Sequence, residues 1–441
     1  MYIYKFGGTS VGSPEGMRRV ADIIDDGEPK IIVLSALSGI TNRLSDIALA
    51  IRNGRLEEAR ATWAAMKEIY DAFCDQLLDR QSLRAAALEA VERSQSLIAE
   101  KISEADGSPQ AEKEILAQGE LVSTRIFQLF LNQRNCRAAL LPALQFMRTD
   151  PANEPDLQHI RSALPKVLQA AGTTSYYITQ GYICRNAEGA VDNLQRGGSD
   201  YTATLIGAAL GSEEIQIWTD IDGLHNNDPR IVEGTFPIRQ LSYREAAELA
   251  YFGAKILHPT CVIPAEKQQI PIRLKNTFQP EAQGTLISSI ASGSGIAAIA
   301  AKDGITAIRI RSSRMLNAYG FLRRVFQVFE DFRTPIDMIT TSEVAVSLTI
   351  DNDSQLPDIL HQLGDFGEVS AESDQTIICL VGDQLGHRRG YAKRIFSALA
   401  EVPIRAVSYG GSNNNVTLLV DRQFKEEALR ALNRGLFPTT L

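Results

Sequence analysis

Three glycine-rich loops carry the cations, hydroxyl groups and backbone donors that an anionic ligand requires. The first, K-F-G-G-T-S, places Lys5 at the end of an apolar run, directly before Gly7 and Gly8. Glycine lets backbone N–H groups approach an anion without obstruction by a Cβ atom. In the P-loop the lysine follows the glycines, so this loop is either a phosphate site of another design or an ordinary strand-to-helix turn. Ser13 and Pro14 then predict a helix start.

Two further loops point to oxygen-rich and carboxylate ligands. The segment S-A-L-S-G-I-T-N begins at Ser35 and surrounds a glycine with hydroxyl groups, although Ser/Gly loops are common. The segment Q-R-G-G-S-D ends at Asp200 and joins an arginine to two glycines at a predicted helix start. Arginine binds carboxylates in a bidentate manner. Asp200 could simply be a helix cap, but a cap would not explain Arg196 and the glycines before it.

Short apolar runs deliver these loops and alternate with helical patterns from residue 1 to about 290. This alternation predicts an α/β sheet, and open α/β sheets bind ligands at the carboxyl ends of their strands. Between about Leu56 and Asp106, abundant Ala, Glu, Arg and Leu predict a helical insertion. Strands are predicted at Tyr2–Phe6, Ile31–Leu34, Ala138–Leu141, Ser175–Thr179, Glu214–Thr219 and Pro271–Leu274.

The tail contains an internal repeat after a linker of small residues, Ser289 to Gly295. The segment G-F-L-R-R-V-F from Gly320 matches G-Y-A-K-R-I-F from Gly390. Pro335-Ile336 and V-S-L-T-I-D likewise match Pro403-Ile404 and V-T-L-L-V-D. Each copy predicts a helix opened by glycine, a strand begun by Pro-Ile, a turn and a second strand. The sequence therefore predicts two tandem α+β modules.

Composition excludes several other classes of protein. The 441 residues carry a formal net charge of −8, which argues against nucleic-acid binding. The five cysteines show no spacing typical of a metal site, and no run approaches the ~18 apolar residues of a membrane span. No secretory signal pattern is visible at the amino terminus. We therefore expect a cytoplasmic protein that binds neither nucleic acid nor membrane.

The ordered motifs resemble those of the aspartokinases, in the amino acid kinase superfamily. The similarity rests on K-F-G-G-T-S, S-A-L-S-G-I-T-N, Gly119-Glu120, L-Q-R-G-G-S-D-Y-T-A, W-T-D, D-P-R and F-G-A-K-I-L-H-P. In the tail, M-L-N-A-Y-G-F-L and P-I-D-M-I-T-T-S-E resemble the ACT modules of the lysine-sensitive, monofunctional type. A bifunctional form with homoserine dehydrogenase is not expected, because no residues remain for it after the tail.

The resemblance implies a fold and a reaction. The fold is an open, mostly parallel sheet with helices on both faces at residues 1–290, followed by ferredoxin-like ACT modules at 300–372 and 373–441. In an alternative division, the last segment completes the first module. The reaction converts ATP and L-aspartate to ADP and 4-phospho-L-aspartate, with Mg²⁺, as the first step of lysine, threonine and methionine biosynthesis. The β-carboxylate, with an unperturbed pKa of ~3.9, is already a nucleophile, so cations matter more than a general base.

The resemblance also implies roles for single residues. Lys5 bridges the phosphates, and Asp200 organises Lys5 and the magnesium shell. Glu120 faces the ammonium group of aspartate, and the aspartate carboxylates are held by Ser35, Thr41, Arg196 and Ser199. The nucleotide is bound by Lys5, Gly7, Gly8, Thr219, Asp220, His225, Arg230, Lys255 and Ile256. His225 stands where the family often has tyrosine.

Regulation and assembly are implied in the same way. An L-lysine effector would contact Met315, Gly320, Phe321, Leu322, Asp337, Thr341, Ser342 and Glu343. Ala318 replaces the usual serine, so we expect weaker inhibition by lysine. A homo-oligomer is expected to form through the ACT modules. Two alternatives stay open: a related kinase acting on another carboxylate such as glutamate or N-acetylglutamate, and a degenerate kinase retained as an amino-acid sensor.

Overall fold

The computed structural model describes residues 1–194, 197–253, 257–293, 295–312 and 319–437. The chain forms two compact units. The first consists of Met1–Leu224 and Ile256–Ile290, and the second of His225–Lys255 and Ala291–Leu441. No helix in these described ranges combines the length and the apolar character that crossing a membrane requires.

The strands and helices alternate as the sequence predicts for the first part of the chain. The strands are β1 (Tyr2–Phe6), β2 (Lys30–Leu34), β3 (Ala138–Leu141), β4 (Tyr176–Gln180), β5 (Ile183–Arg185), β6 (Val191–Asn193), β7 (Ile215–Thr219), β8 (Gln240–Ser242), β9 (Ile272–Asn276), β10 (Thr285–Ser288), β11 (Ile296–Arg311), β12 (Met338–Thr341), β13 (Ala345–Ile350), β14 (Glu368–Gly382), β15 (Ala406–Tyr409) and β16 (Asn415–Asp421). The α-helices are α1 (Gly8–Val11), α2 (Pro14–Ile24), α3 (Ile40–Arg52), α4 (Leu56–Leu77), α5 (Gln81–Ser103), α6 (Pro109–Gln133), α7 (Leu157–Ala171), α8 (Gly198–Leu210), α9 (Tyr243–Tyr251), α10 (Pro259–Gln268), α11 (Phe321–Asp331), α12 (Leu356–Leu363), α13 (Tyr391–Ala398) and α14 (Lys425–Leu436).

The first unit is built on a mostly parallel sheet with helices on both faces, as predicted. Its strands follow the order β3-β4-β2-β1-β7-β9-β10. All neighbours from β3 to β9 are parallel, and β10 runs antiparallel to β9. The chain leaves β1 for β2 on one side and later reaches β7 on the other. The carboxyl ends of these central strands therefore border the crevice in which open α/β sheets bind ligands.

The six predicted strands are all present, and their ends differ from the prediction by two residues at most. Strand β2, K-I-I-V-L, is buried at every position because the sheet is covered on both faces. Helices α4 and α5 form the predicted helical insertion. The sequence missed β5, β6, β8 and β10, because three or four residues are too few to show a periodic pattern.

Residues 225–255 lie in the second unit, whereas the sequence predicts one catalytic domain that runs to residue 290. Their polar side chains explain the difference. Asn227 Nδ2 donates to the carbonyl oxygen of Leu429 at 3.1 Å, and Asn415 Nδ2 donates to Glu248 Oε2 at 2.6 Å. This segment therefore packs with the C-terminal part of the chain.

The second unit contains a six-stranded antiparallel sheet in the order β12-β13-β11-β14-β16-β15. Its two halves are called here the first module (β12, β13, α11, α12) and the second module (β15, β16, α13, α14). The long strands β11 and β14 pass through both modules, with register shifts between Lys302 and Ala307. Gly320 and Gly390 adopt left-handed φ values of 78° and 89° and cap α11 and α13, as the repeat predicts.

Two details of the predicted modules are wrong. The last segment does not complete the first module, because Leu429 and Leu432 of α14 pack in the core of the second module. Ile296 and Ile299, from the start of β11, lie in that same core, so the segment before the first module is the one that completes the second. The Pro-Ile pairs also precede β12 and β15 instead of beginning them, since proline has no N–H group to donate to a sheet.

Candidate active site

Lys5 and Asp200 form an ion pair at the carboxyl edge of the sheet in the first unit. Their Nζ and Oδ1 atoms lie 2.7 Å apart, and each side chain is about one-eighth exposed. Lys5 comes from β1, which pairs with β2 and β7 on its two sides. Asp200 lies in the first turn of α8, 195 residues later in the chain. The fold thus brings together the two residues that the resemblance assigns to catalysis.

The Gly7-Gly8 turn packs tightly against the loop that follows β2. Gly7 caps the short helix α1, which the sequence did not predict, and Ser13 caps α2 by accepting from the N–H of Gly16, as predicted. A Cβ atom at Gly8 would lie 3.1 Å from the carbonyl oxygen of Ala36. A side chain at Gly8 would therefore require the Ala36 loop to shift by a few tenths of an ångström.

Hydroxyl groups from distant parts of the chain meet beside this turn. Ser35 Oγ donates to Ser199 Oγ at 3.0 Å, which joins the loop after β2 to the start of α8. The carbonyl oxygen of Ser35 accepts a bond from Ser123 Oγ at 2.9 Å. Two of the residues predicted to hold the aspartate carboxylates, Ser35 and Ser199, are thus in direct contact. Thr41 lies in the first turn of α3 with an exposed side chain.

Glu120 places a buried carboxyl group behind the Ser35 loop. Its side chain lies on α6, and its Oε1 atom accepts the N–H of Ala36 at 3.1 Å. Its Oε2 atom is buried and has no hydrogen-bond partner among the residues that the structure describes. Burial raises the pKa of Glu120 to about 8, although the bond from Ala36 acts in the opposite direction. An ammonium group placed against Oε2 would supply the missing donor.

Thr219 ends the next central strand, β7, and Asp220 follows it. Thr219 Oγ1 donates to Asp220 Oδ1 at 3.1 Å, and the N–H of Thr277 donates to the carbonyl oxygen of Thr219 at 2.8 Å. The Thr277 hydroxyl also lies 2.7 Å from that of Ser10, near the Gly7-Gly8 turn. These contacts fix the loops after β1, β7 and β9 to one another.

His225 and Arg230, which are predicted to bind nucleotide, belong to the second unit. His225 Nδ1 lies 3.0 Å from Thr235 Oγ1. Arg230 makes a bidentate pair with Asp228, with Nε and a terminal nitrogen at 2.9 and 2.7 Å from the two carboxylate oxygens. This pair raises the pKa of Arg230 and holds its exposed guanidinium group in a fixed orientation.

Four predicted site residues lie outside the described residues: Arg196, Lys255, Ile256 and Met315.

The sequence analysis did not predict several contacts that shape the site. A Cβ atom at Gly181 would lie 2.5 Å from Ser199 Oγ, so only glycine leaves room for that serine. The position of Gly181, directly after strand β4, was the available signal. Ser123 and Thr277 carried none, because their roles depend on contacts between distant segments.

The predicted effector residues fall into two groups at opposite ends of β12. Asp337 precedes the strand, while Thr341 ends it and Ser342 and Glu343 form the exposed turn that follows. The four residues of β12 span roughly 13 Å. Asp337 and the group at Thr341–Glu343 are therefore not close to each other within a single copy of the chain. Gly320 and Phe321 begin α11, with Phe321 buried and Leu322 exposed.

Asp337 already has a cationic partner within the second unit. Its Oδ1 atom accepts bonds from Lys302 Nζ and from the Tyr251 hydroxyl, both at 2.9 Å. Lys302 also pairs with Asp351 Oδ2 at 2.8 Å. Burial alone would lower the pKa of Lys302, but its bonds to Asp351 and Asp337 raise that pKa above the ordinary value. Asp337 Oδ2 is buried and has no partner among the described residues, which leaves one acceptor for a further donor.

Comparisons with known proteins identify the family of the chain. A model of the amino acid kinase family matches residues 1–276, and an ACT domain model matches residues 378–436. The chain is 33% identical to lysine-sensitive aspartokinase 3 of Escherichia coli (strain K12), over 99% of both chains. It is also similar to the structure of E. coli aspartokinase III in complex with aspartate and ADP (R-state), with a TM-score of 0.86, 32% identity, and coverage of 99% of this chain and 100% of that one. For the complex of E. coli aspartokinase III with lysine and aspartate (T-state), the TM-score is 0.81 at 33% identity, with 99% of each chain covered.

Proposed function

The chain belongs to the aspartokinases of the amino acid kinase family, and we propose that it transfers the γ-phosphoryl group of ATP to the β-carboxylate of L-aspartate. The products are ADP and 4-phospho-L-aspartate. The observation that carries the proposal is the Lys5–Asp200 ion pair, set between a glycine turn suited to phosphate and hydroxyl groups suited to carboxylates. The aspartate and ADP bound to the similar E. coli enzyme support the same pair of substrates.

The proposed reaction is a direct displacement at phosphorus. An oxygen of the β-carboxylate forms a bond to the γ-phosphorus, and the bond from that phosphorus to the bridging oxygen breaks, with its electron pair leaving on ADP. The carboxylate is ionised at neutral pH, so no residue needs to remove a proton. The protein must hold two anions together and stabilise the charge that spreads over the transferring group. Lys5 supplies a positive charge for this purpose, and Gly7 and Gly8 supply backbone N–H groups.

Asp200 keeps the ammonium group of Lys5 oriented, and it fits a role beside a magnesium ion. The described residues hold no cluster of three or more His, Cys, Asp or Glu side chains suited to a metal. Mg²⁺ in phosphoryl-transfer sites is commonly held by one or two carboxylates together with substrate phosphates, so a single aspartate suffices. When bound, the ion would neutralise charge on the phosphates. We propose that Asp200 is the protein carboxylate that faces it.

The specificity for aspartate is proposed to come from residues around Ser35. The hydroxyl groups of Ser35 and Ser199 would donate to the substrate carboxylates, with Thr41 and Arg196 as further donors. Glu120 would accept the substrate ammonium group at its unpartnered Oε2 atom. In the nucleotide subsite, the roles of Thr219, Asp220, His225, Arg230, Lys255 and Ile256 stay predictions.

We also propose that L-lysine regulates the enzyme through the second unit. Asp337 is the acceptor that best suits an ammonium group, because its buried Oδ2 atom has no partner in the described part of the chain. The complex of E. coli aspartokinase III with lysine supports this class of effector. A homo-oligomer formed through the ACT modules, and a cytoplasmic location, stay predictions.

An ADP-release assay tests the proposed function. The purified protein is given ATP and Mg²⁺ with L-aspartate, L-glutamate or N-acetyl-L-glutamate, and the acyl phosphate is trapped with hydroxylamine. We expect ADP and hydroxamate to form with aspartate, and lysine to inhibit more than threonine or methionine. Turnover only with another carboxylate would favour a related kinase. Binding of lysine without turnover of any acceptor would favour a sensor.

A further inference from the structure

The turn that begins α8 is wedged against helix α10. Gly197 caps α8 in a left-handed conformation with φ of 76°, and the first turn of the helix carries Ser199 and Asp200. A Cβ atom at Gly197 would lie 2.5 Å from His258 Cβ and 3.2 Å from Cys261 Sγ. No side chain larger than hydrogen fits between this turn and α10 without movement of one of them.

Cys261 also bonds to the turn. Its fully buried thiol donates to the carbonyl oxygen of Gly197 at 3.5 Å. The same carbonyl oxygen accepts the N–H of Tyr201 at 2.9 Å, which is one of the first hydrogen bonds of α8. Burial and the nearby Asp200 carboxylate raise the pKa of Cys261, so the thiol stays protonated and keeps its donor.

The start of α10 is itself rigid. His258 is its N-cap residue and Pro259 its first residue, and the N–H of Cys261 donates to the carbonyl oxygen of His258 at 2.9 Å. His258 Nδ1 lies 2.8 Å from Thr260 Oγ1, which fixes the imidazole ring. His258 and Cys261, three residues apart at the start of α10, therefore contact the turn together.

A second set of close contacts also restricts the turn. A Cβ atom at Gly198 would lie 2.5 Å from Tyr182 Cδ2, and one at Gly181 would lie 2.5 Å from Ser199 Oγ. The residues that follow β4 thus pack closely on the same turn. With these contacts in place, Asp200 Oδ1 lies 2.7 Å from Lys5 Nζ on strand β1.

We propose that His258 and Cys261 are positioning residues for phosphoryl transfer: they fix the Gly197 turn and so hold Asp200 against Lys5. The inference rests on the proposed function, because it takes Lys5 and Asp200 as the catalytic pair. Misplacement of reacting groups by about 1 Å can cost roughly 100-fold in rate. Contacts that exclude such a shift therefore matter for turnover even though they do not touch substrate.

Two glycines of the same helix provide a matched test. Gly211, the C-cap of α8, also has a left-handed φ of 63°, but a Cβ atom there would meet nothing within 4 Å. Gly197→Ala and Gly211→Ala therefore share the backbone strain, and only Gly197→Ala pushes against α10. We expect kcat for Gly211→Ala to stay within about twofold of wild type and kcat for Gly197→Ala to fall at least ~10-fold.

The outcomes separate the inference from the proposed function. Equal loss of kcat in the two glycine variants would overturn the positioning role. Absence of aspartate-dependent ADP release by the wild-type protein would overturn the proposed function instead. If Gly197→Ala does not fold, Cys261→Ala and Cys261→Ser test the positioning role instead. Alanine should lower kcat a few-fold with the KM for ATP unchanged, serine should restore it, and wild-type kcat in both would refute the role of the thiol.

Discussion

The carboxyl group of Glu120 offers a direct test of how the site recognises an amino acid. Glu120 is 3% exposed, and burial raises its pKa to about 8. With that pKa, roughly 0.9 of the molecules carry a protonated Glu120 at pH 7 before substrate binds. An ammonium group placed against Oε2 favours the carboxylate, because an opposite charge within a few ångströms stabilises the ionised form. Binding of L-aspartate at pH 7 should therefore release up to ~0.9 proton.

Isothermal titration calorimetry measures this release. The binding enthalpy of aspartate is compared in phosphate and Tris buffers, whose ionisation enthalpies differ, and the slope gives the number of protons. The slope should fall to about half a proton at pH 8, where half of the Glu120 groups are already ionised. Glu120→Gln keeps an acceptor for the N–H of Ala36 and has no proton to lose, so its slope should be near zero at both pH values.

Two results would contradict this reasoning. If wild type binds aspartate at pH 7 without releasing a proton, the ammonium group of the substrate does not meet Glu120. If Glu120→Gln releases as many protons as wild type, another group is the source.

The same pKa predicts the pH dependence of stability. Between pH 4.5, the ordinary pKa of glutamate, and pH 8, the unfolded chain ionises Glu120 while the folded protein retains its proton. The unfolded state therefore binds fewer protons, so the free energy of unfolding falls by about 1.4 kcal/mol per pH unit from this group. In Glu120→Gln, residue 120 does not titrate, so this decrease in the free energy of unfolding is absent. In urea unfolding at pH 5, 6.5 and 8, the stability of the variant relative to wild type should increase as the pH rises. A difference in the free energy of unfolding that is the same at all three pH values would refute the raised pKa.

Other predictions concern the remaining parts of the site and its regulation. Lys5→Ala should lower kcat at least ~100-fold, because it removes a charge that acts mainly in the transition state; near-normal turnover would exclude the phosphate role of the first loop. Arg196→Ala should raise the KM for aspartate much more than the KM for ATP, and equal increases would mean that Arg196 does not bind the carboxylate. Asp337→Ala should relieve inhibition by lysine, whereas Lys302→Met should lower the inhibitory concentration, since Lys302 competes for the same carboxylate; an unchanged concentration in both would remove Asp337 from the effector site. Light scattering should show at least a dimer, because the edge strands of ACT-type sheets are usually covered by pairing, and an active monomer at micromolar concentration would contradict this.

The Lys5–Asp200 ion pair illustrates what could be predicted from sequence. Lys5 lies at the end of an apolar run that is followed by glycines. Asp200 follows two glycines at the start of a predicted helix. Parallel strands bring such signals to one edge of the sheet, so their meeting follows from the fold class. The burial of Glu120 could not be read in the same way. Its raised pKa depends on the packing of α6 behind the Ser35 loop, and no spacing in the sequence reports that contact.

Close contacts that require a glycine could not be predicted from the sequence either. Gly181 and Gly197 look like ordinary turn glycines in the sequence, and a left-handed φ would explain Gly197 without any neighbour. Only the structure shows that Ser199 occupies the space beside Gly181 and that His258 occupies the space beside Gly197. Both neighbours come from segments far along the chain, so the physical reason for each glycine is tertiary.

The C-terminal modules show where a repeat misleads. A repeat of about seventy residues predicts two consecutive modules, because matching copies are read one after the other. Yet Ile296 and Ile299 precede both copies and pack in the core of the second, while β11 continues into the first. Each module therefore depends on a strand that it shares with the other. A cut at residue 373 would leave the apolar start of β11 without the partner strand at Ile377–Gly382, so the first module is not expected to fold as a separate domain.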